Sequence, residues 1–401
     1  PRVRRQRQMC IRDRAGTLLD TVQTLSPNDV YTAKLSAEGA KPEELTLSVY
    51  DGTGGLMLSY TPVPEKIEKL PDPAQPAKAP EELPTNEELY LTGLHIEQYR
   101  HATYDPDPYY LEGLRRDPYD SRLNNAYGML LFRRGLFAQS EPYFRKAIER
   151  ITWKNPNPYD SEPYFNLGLS LTYQGRDGEA FDAFYKATWT NDQQEMSFYW
   201  LAALAAKSGN WTEALGYVER SLIRNLHHVR ARGLKALILR KLGKTEEVKA
   251  FLQENIRLDP FDYFSRMEQN YPTGSGREEM LALMRGEPNA FLDVATNYAV
   301  YGCYGEAVET LRLYTGKHPM PAYYAAYYSA LSGNGEESRL ALADAAKRSP
   351  LYCFPNKLTD IAVLEYAVRV SPKDAKAPYY LGNLWYDKKQ YAKARELWEK
   401  S

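Results

Sequence analysis

The chain is predicted to be an all-α solenoid, a right-handed superhelix of antiparallel helix pairs preceded by a small antiparallel β remnant and a proline-rich linker. Three observations predict it. Turn glycines recur at Gly175, Gly209 and Gly243, each 34 residues from the last, and a fixed period of this size marks stacked two-helix units. Tyrosine occurs 33 times against 12 Phe and 6 Trp, with Ala and Gly at short intervals between, which suits bulky knobs packed over small holes. At 401 residues the chain is also long for one globular core and suits either several domains or one extended array.

The N-terminal segment, residues 1–14, carries six Arg and one Asp and shows no hydrophobic period, cap or turn chemistry. It resembles translated sequencing-adaptor sequence and is expected to be an unstructured artefact. Without it the net charge moves from -1 to about -6, that of a mildly acidic protein. On this reading the natural N-terminus is missing, so an export signal cannot be judged; the working assignment is cytoplasmic.

Residues 15–61 are expected to hold the last strands of a β domain cut at its N-terminal side. Leu45, Leu47 and Val49 alternate with Thr46, Ser48 and Tyr50, and Leu56, Leu58 and Tyr60 alternate with Met57 and Ser59, the period of a strand. Asp51-Gly52-Thr53-Gly54-Gly55 between them reads as a hairpin loop; no helix follows it, so it does not read as a phosphate cradle. Residues 62–84 hold prolines at 62, 64, 71, 73, 76, 80 and 84 and predict an extended linker lying along the next domain.

The array is expected over residues 85–401. Thr85 with Glu88 three residues on predicts a capped helix start. An irregular first unit, 85–118, is interrupted at Tyr104-Asp105-Pro106-Asp107-Pro108 and ends at Asp117-Pro118. Full units follow, with Tyr127-Gly128, Gly135, Phe144 and Ala147 in one, and Leu167-Gly168, Leu171, Gly175, Ala180, Phe184 and Ala187 in the next. The pattern resembles the tetratricopeptide repeat: small residues where helices cross, glycine in the turn, aromatics between. Near residues 261–287 the turn glycines stand 59 apart instead of 34, which predicts a break built on an irregular helix pair. The cleanest late copy, Leu381-Gly382, Trp385, Tyr391, Ala394 and Trp398, stops at Ser401, so the C-terminus too is expected to be cut.

Residues 91–106, LTGLHIEQYRHATYDP, resemble the bacterial family called domain of unknown function 5107. That resemblance implies a galactose-mutarotase-like β-sandwich upstream, followed by this linker and a tetratricopeptide array. Any sugar site would lie in the sandwich, which is almost wholly absent here, so no catalytic residue is carried over.

Candidate chemistry is sparse. His95 and His101 are six residues apart, about 240° around a helix, and face different ways. His227-His228 falls in an inter-repeat turn and reads as a solvated pair. Asp105 and Asp107, and Glu246 and Glu247, suit local turn and helix-start roles. Cys303 and Cys353 sit in no metal spacing. Neither a catalytic residue, a metal nor a cofactor is assigned, and no apolar run approaches the roughly twenty residues a membrane span needs.

Function is therefore sought in the groove. Counting from the Leu-Gly positions of each unit, Phe165, Tyr199, Tyr323, Tyr327 and Tyr379 are expected to line the concave face, giving an aromatic rather than basic surface. An acidic array without a Lys or Arg stripe disfavours nucleic acid, and the Lys and Asn clamp of related arrays is not reproduced. Aromatics on a concave face suit an apolar or extended peptide, or a sugar ring. Tyr99, His101 and Tyr127 are placed at the interface with the missing β domain. Two readings follow: a scaffold that binds a protein partner or its own β domain, and a carbohydrate-binding or carbohydrate-processing protein whose sugar site lies in the absent sandwich.

Overall fold

A computed structural model describes residues 5–12, 16–25, 30–37, 39–64, 72–73, 75–99, 103–274 and 276–401. It divides into two units, Pro1–Pro76 and Ala77–Ser401.

The first unit is a four-stranded antiparallel sheet of β1 (Arg5–Arg12), β2 (Thr17–Leu25), β3 (Thr46–Tyr50) and β4 (Leu56–Tyr60), in the order β2-β1-β3-β4. β3 and β4 are the strands the alternation predicts, with Val49 opposite Leu58 and Leu47 opposite Tyr60. The Asp51 carboxylate organises their loop by accepting from the amides of Thr53 and Gly55 at 2.8 and 2.9 Å. Residues 5–12, expected to be unstructured, instead form a central strand. Met9 pairs with both Thr21 and Val49, and Met9 and Cys10 are buried. The period-two test misses β1 because a central strand is secured by backbone hydrogen bonds on both edges, which an arginine- and glutamine-rich sequence can make as well as an apolar one.

The second unit opens with the end of the linker. Tyr109 donates its hydroxyl to the Lys78 carbonyl at 2.8 Å, and Arg116 donates to the carbonyls of Leu83 and Pro80 at 2.7 and 3.2 Å. Leu83 is buried with Leu89, Ile96 and Tyr109. Thr85 caps α1 (Asn86–Gln98) by accepting from the Glu88 amide at 3.2 Å. α2 (Asp107–Arg116) completes the irregular first unit. Asp107 there grips Arg134 with both oxygens at 2.6 and 2.7 Å, so this aspartate serves an ion pair across units rather than the local turn.

Helix pairs then follow: α3 (Ser121–Arg133) with α4 (Phe137–Thr152), α5 (Glu162–Tyr173) with α6 (Asp177–Ala187), α7 (Gln194–Lys207) with α8 (Trp211–Arg224), and α9 (Val229–Lys241) with α10 (Thr245–Leu258). The irregular pair at the expected break is α11 (Tyr263–Thr273) and α12 (Arg277–Met284). α13 (Pro288–Val300) with α14 (Tyr304–Arg312), and α15 (Met320–Leu331) with α16 (Gly335–Lys347), restore the pattern, and α18 (Lys376–Asp387) with α19 (Tyr391–Trp398) end it. Between these last pairs stands α17 (Leu358–Val370), a helix without an antiparallel partner of its own unit, approached through the loop 349–357.

Two uses of glycine explain the repeat. In the turn within a pair, Gly135, Gly175, Gly209, Gly243, Gly302 and Gly333 all have φ between 72° and 83°, a left-handed conformation that a side chain penalises. Where the two helices cross, a Cβ on Gly128 or Gly168 would come within 2.7 or 2.6 Å of the ring of Phe144 or Phe184. The aromatic knob of one helix thus occupies the space of the missing side chain on the other. Successive pairs share one continuous core that runs from Tyr199 to Ala394.

Candidate functional site: an aromatic cavity

The array curls until early and late units meet. The turn between α3 and α4 packs against α17 and α18: a Cβ on Gly135 would lie 2.5 Å from Ile361 Cδ1 and 3.2 Å from the Trp385 ring. Phe137 and Leu358 are packed against the cores on both sides of this seam. Lys389 and Asp105 form an ion pair between the last turn and the first unit. Midway round, Gly302 abuts the end of α7, where a Cβ would stand 3.0 Å from Lys207 Cα.

This curvature shapes an open cavity of about 400 Å³, within the range of small-ligand and peptide pockets. Its wall is mainly apolar: Phe137, Tyr173, Trp200, Tyr327, Tyr328 and Trp385 supply the large rings, and α17 supplies Ile361, Ala362 and Val363. Tyr173 keeps 36% of its surface accessible, yet the protein surrounding it pushes its hydroxyl above the ordinary tyrosine range. That combination belongs to a ring on the inside of a concavity. Trp200 stacks nearly parallel on Phe184, 6° off and 5.7 Å between centroids, which holds its outer face toward the cavity.

The polar groups are few. Lys207 pairs with Asp177 at 2.6 Å. Thr359 shares a 2.9 Å hydrogen bond with the Tyr324 hydroxyl, and the Tyr328 hydroxyl reaches Thr296 at 3.4 Å. Lys393 stands over the Trp385 ring at 4.2 Å. Glu365 carries the only carboxylate of the wall; burial pushes its carboxyl up although Lys393 and Arg369 pull the other way.

Of the predicted groove residues, Tyr327 lines this cavity, 5.6 Å from the Tyr366 ring. Tyr199 and Tyr323 do not face a groove. They are 2% and 0% exposed, with hydroxyls bonded to Tyr301 at 3.0 Å and Asp374 at 2.7 Å. The superhelix is tight enough that these positions meet other units instead of solvent. Phe165 is half-buried against Phe184 at 5.6 Å, and Tyr379 is exposed on α18; neither is part of the cavity wall. Tyr99 is 73% exposed, Tyr127 packs edge-on to Tyr143 at 4.9 Å, and His101 lies outside the described residues. His228, expected to be solvated, turns inward onto Tyr199 at 5.0 Å, and burial lowers its pKa. Burial pushes the thiols of Cys303 and Cys353 up to about 12, far from a nucleophilic thiolate.

The wall residues of α17, Leu358, Thr359, Ile361, Ala362, Val363 and Glu365, were missed by sequence reasoning. Their signal was a second break in period: Gly333 and Lys389, which takes the turn position with φ 60°, stand 56 residues apart. That spacing leaves room for one more helix.

Among the described residues no group of three metal-ligating side chains converges, and no helix is long and apolar enough to cross a membrane. Residues 2–60 match the family model described as YphG-like protein, second domain, and residues 201–262 and 361–401 match the tetratricopeptide repeat model. Solved structures similar to this chain include MamA from residue 41 onward of Desulfovibrio magneticus RS-1, 18% identical over 45% of this chain and 95% of that one, with a TM-score of 0.35. Others are the C-terminal part of a repeat protein of Cytophaga hutchinsonii, 10% identical over 69% of this chain and 97% of that one, and a tetratricopeptide repeat protein of Parabacteroides merdae, 15% identical over 62% and 98%. Both give a TM-score of 0.39. Model match and helix pairing together identify the second unit as a tetratricopeptide-type solenoid.

Proposed function

We propose that the array is a docking scaffold that holds an extended segment of a protein partner in its cavity. The observation that carries this reading is the wall itself: rings from α4, α5, α7, α15 and α18 converge on one concavity, and none of them is organised around a nucleophile, an acid-base pair or a metal. Such a surface gains free energy by taking apolar side chains out of water. The threonines and the few charged groups can satisfy a peptide backbone. Tyr99, exposed beside α1, is a further contact for a neighbouring domain.

The test is a peptide library displayed against the full chain, followed by titration of selected sequences. Ala362 is exposed on the cavity side of α17, so Ala362→Trp fills the space without disturbing the core. It should weaken a selected peptide at least about tenfold, and Tyr327→Ala should weaken it by a smaller factor. Peptides that bind Ala362→Trp as well as the parent would refute the site. Soluble glycans that bind in place of peptides, and compete at Ala362, would favour the carbohydrate reading.

A further inference from the structure

We propose that the loop 349–357, none of whose residues lines the cavity, is a peripheral anchor that docks the solenoid on an anionic bilayer surface. Three large apolar side chains of this loop stand in solvent: Leu351 is 71%, Tyr352 86% and Phe354 74% exposed. The loop is built to present them. Cys353 and Pro355, on either side of Phe354, are buried, and the amides of Asn356 and Lys357 donate to the Asp360 carboxylate at 2.9 and 2.8 Å. Tyr352 holds a left-handed φ of 59°, a conformation that bulky side chains avoid. The backbone is thus fixed with Cys353 inside and its apolar neighbours outside.

Charge decides what can cover such a tip. Arg348 donates to the carbonyls of Gly316 and His318 at 2.8 and 3.1 Å, and Lys376 donates to the Ala346 carbonyl at 2.8 Å and to that of Arg348. These bonds bring together the segments 313–319, 344–360 and 371–376, which carry six Lys and Arg against three Asp. All three carboxylates are engaged: Asp344 with Arg348 at 2.8 Å, Asp360 with the Tyr324 hydroxyl at 2.6 Å, and Asp374 with the Tyr323 hydroxyl at 2.7 Å. Lys317, Lys347 and Lys373 are exposed, and among the described residues none of them stands in an ion pair. Lysine is depleted where proteins bury one another's surfaces. An anionic headgroup layer instead attracts it, and accepts apolar and aromatic side chains at the same depth. A bilayer also needs no pocket shaped to receive the tip, and such contact needs no spanning helix.

The experiment uses the full chain and vesicles of phosphatidylcholine, alone or with about one third phosphatidylglycerol, and reads binding by co-flotation. The chain should partition onto the anionic vesicles at least about tenfold more strongly than onto the neutral ones, and the difference should shrink in high salt. A loop variant with Leu351→Ser, Tyr352→Ser and Phe354→Ser, all at exposed positions, should lose at least about tenfold in partitioning. Lys317→Glu, Lys347→Glu and Lys373→Glu together should abolish the preference for anionic lipid. Equal binding to both vesicles, or binding to neither, overturns the inference. Full binding by the loop variant overturns it as well, because adhesion would then rest on charge alone. If the parent self-associates in light scattering without lipid and the loop variant does not, the tip covers a second copy and the membrane assignment falls. Because the parent chain is itself compared on two lipid compositions, the outcome does not depend on the variants folding.

Discussion

Glu268 is the strongest single test of how the irregular pair is held. It lies on α11 with no accessible surface, yet it is a charge. Its two oxygens accept from Arg240 Nε and Nη2 at 2.8 and 2.9 Å and from the Tyr298 hydroxyl at 2.6 Å. Arg240 also rests on the Tyr271 ring at 4.1 Å and reaches Glu306 at 3.3 Å, so the group ties α9, α11, α13 and α14 together where the 34-residue period fails. Glu268→Ala removes the acceptor of three bonds at once. Arg240, whose side chain is 18% exposed, keeps the Tyr271 ring and the longer contact to Glu306, and the buried Tyr298 hydroxyl loses its partner. Breaking a buried pair of this kind costs about 3–5 kcal/mol, much of it the stranded charge. Arg240→Met with Glu268→Leu removes both charges and should cost less than Glu268→Ala alone, by about 2 kcal/mol. Urea unfolding gives the energies, and hydrogen exchange at the amides of α9, α11 and α13 shows where stability is lost. If Glu268→Ala stays within about 1 kcal/mol of the parent, or if the two positions prove additive, the pair does not hold the break.

Two further predictions follow from packing and charge. Gly168→Ala should destabilise by about 1–3 kcal/mol because its Cβ would strike the fully buried Phe184 ring. Gly216→Ala, in the interior of α8 with nothing within 4 Å, should stabilise by about 0.5–1 kcal/mol; thermal melts of the two variants that move in the same direction would contradict the knob-and-hole account. His318 is held neutral: burial lowers its pKa from 6.5, Asp360 opposes this and Arg348 adds to it, and its Nδ1 accepts the Met320 amide at 3.3 Å. The stability it contributes is present above pH 6.5 and is lost as the pH falls below that value. His318→Gln should therefore flatten the pH dependence of the urea midpoint between about pH 7.5 and 5, and an unchanged slope would remove His318 from the account.

Helix pairs and their turns were legible in the sequence because each depends on local chemistry. A left-handed turn needs glycine at Gly175 or Gly209 wherever it stands, and a helix crossing over Phe184 needs Gly168. β1 was not legible, because Arg5–Arg12 has no apolar alternation and is stabilised by partners on both edges. Of the positions counted onto the concave face, Tyr327 stands on the cavity wall, whereas Tyr199 and Tyr323 are core.

The difference has one physical cause. Period, turn and cap are properties of a few adjacent residues, so the sequence by itself determined that the chain from Thr85 onward stacks helix pairs. Curvature accumulates from small rotations at every interface between units. Only the tertiary structure decided that the accumulated rotation brings Gly135 against Ile361 and Trp385 and shapes the cavity between early and late units.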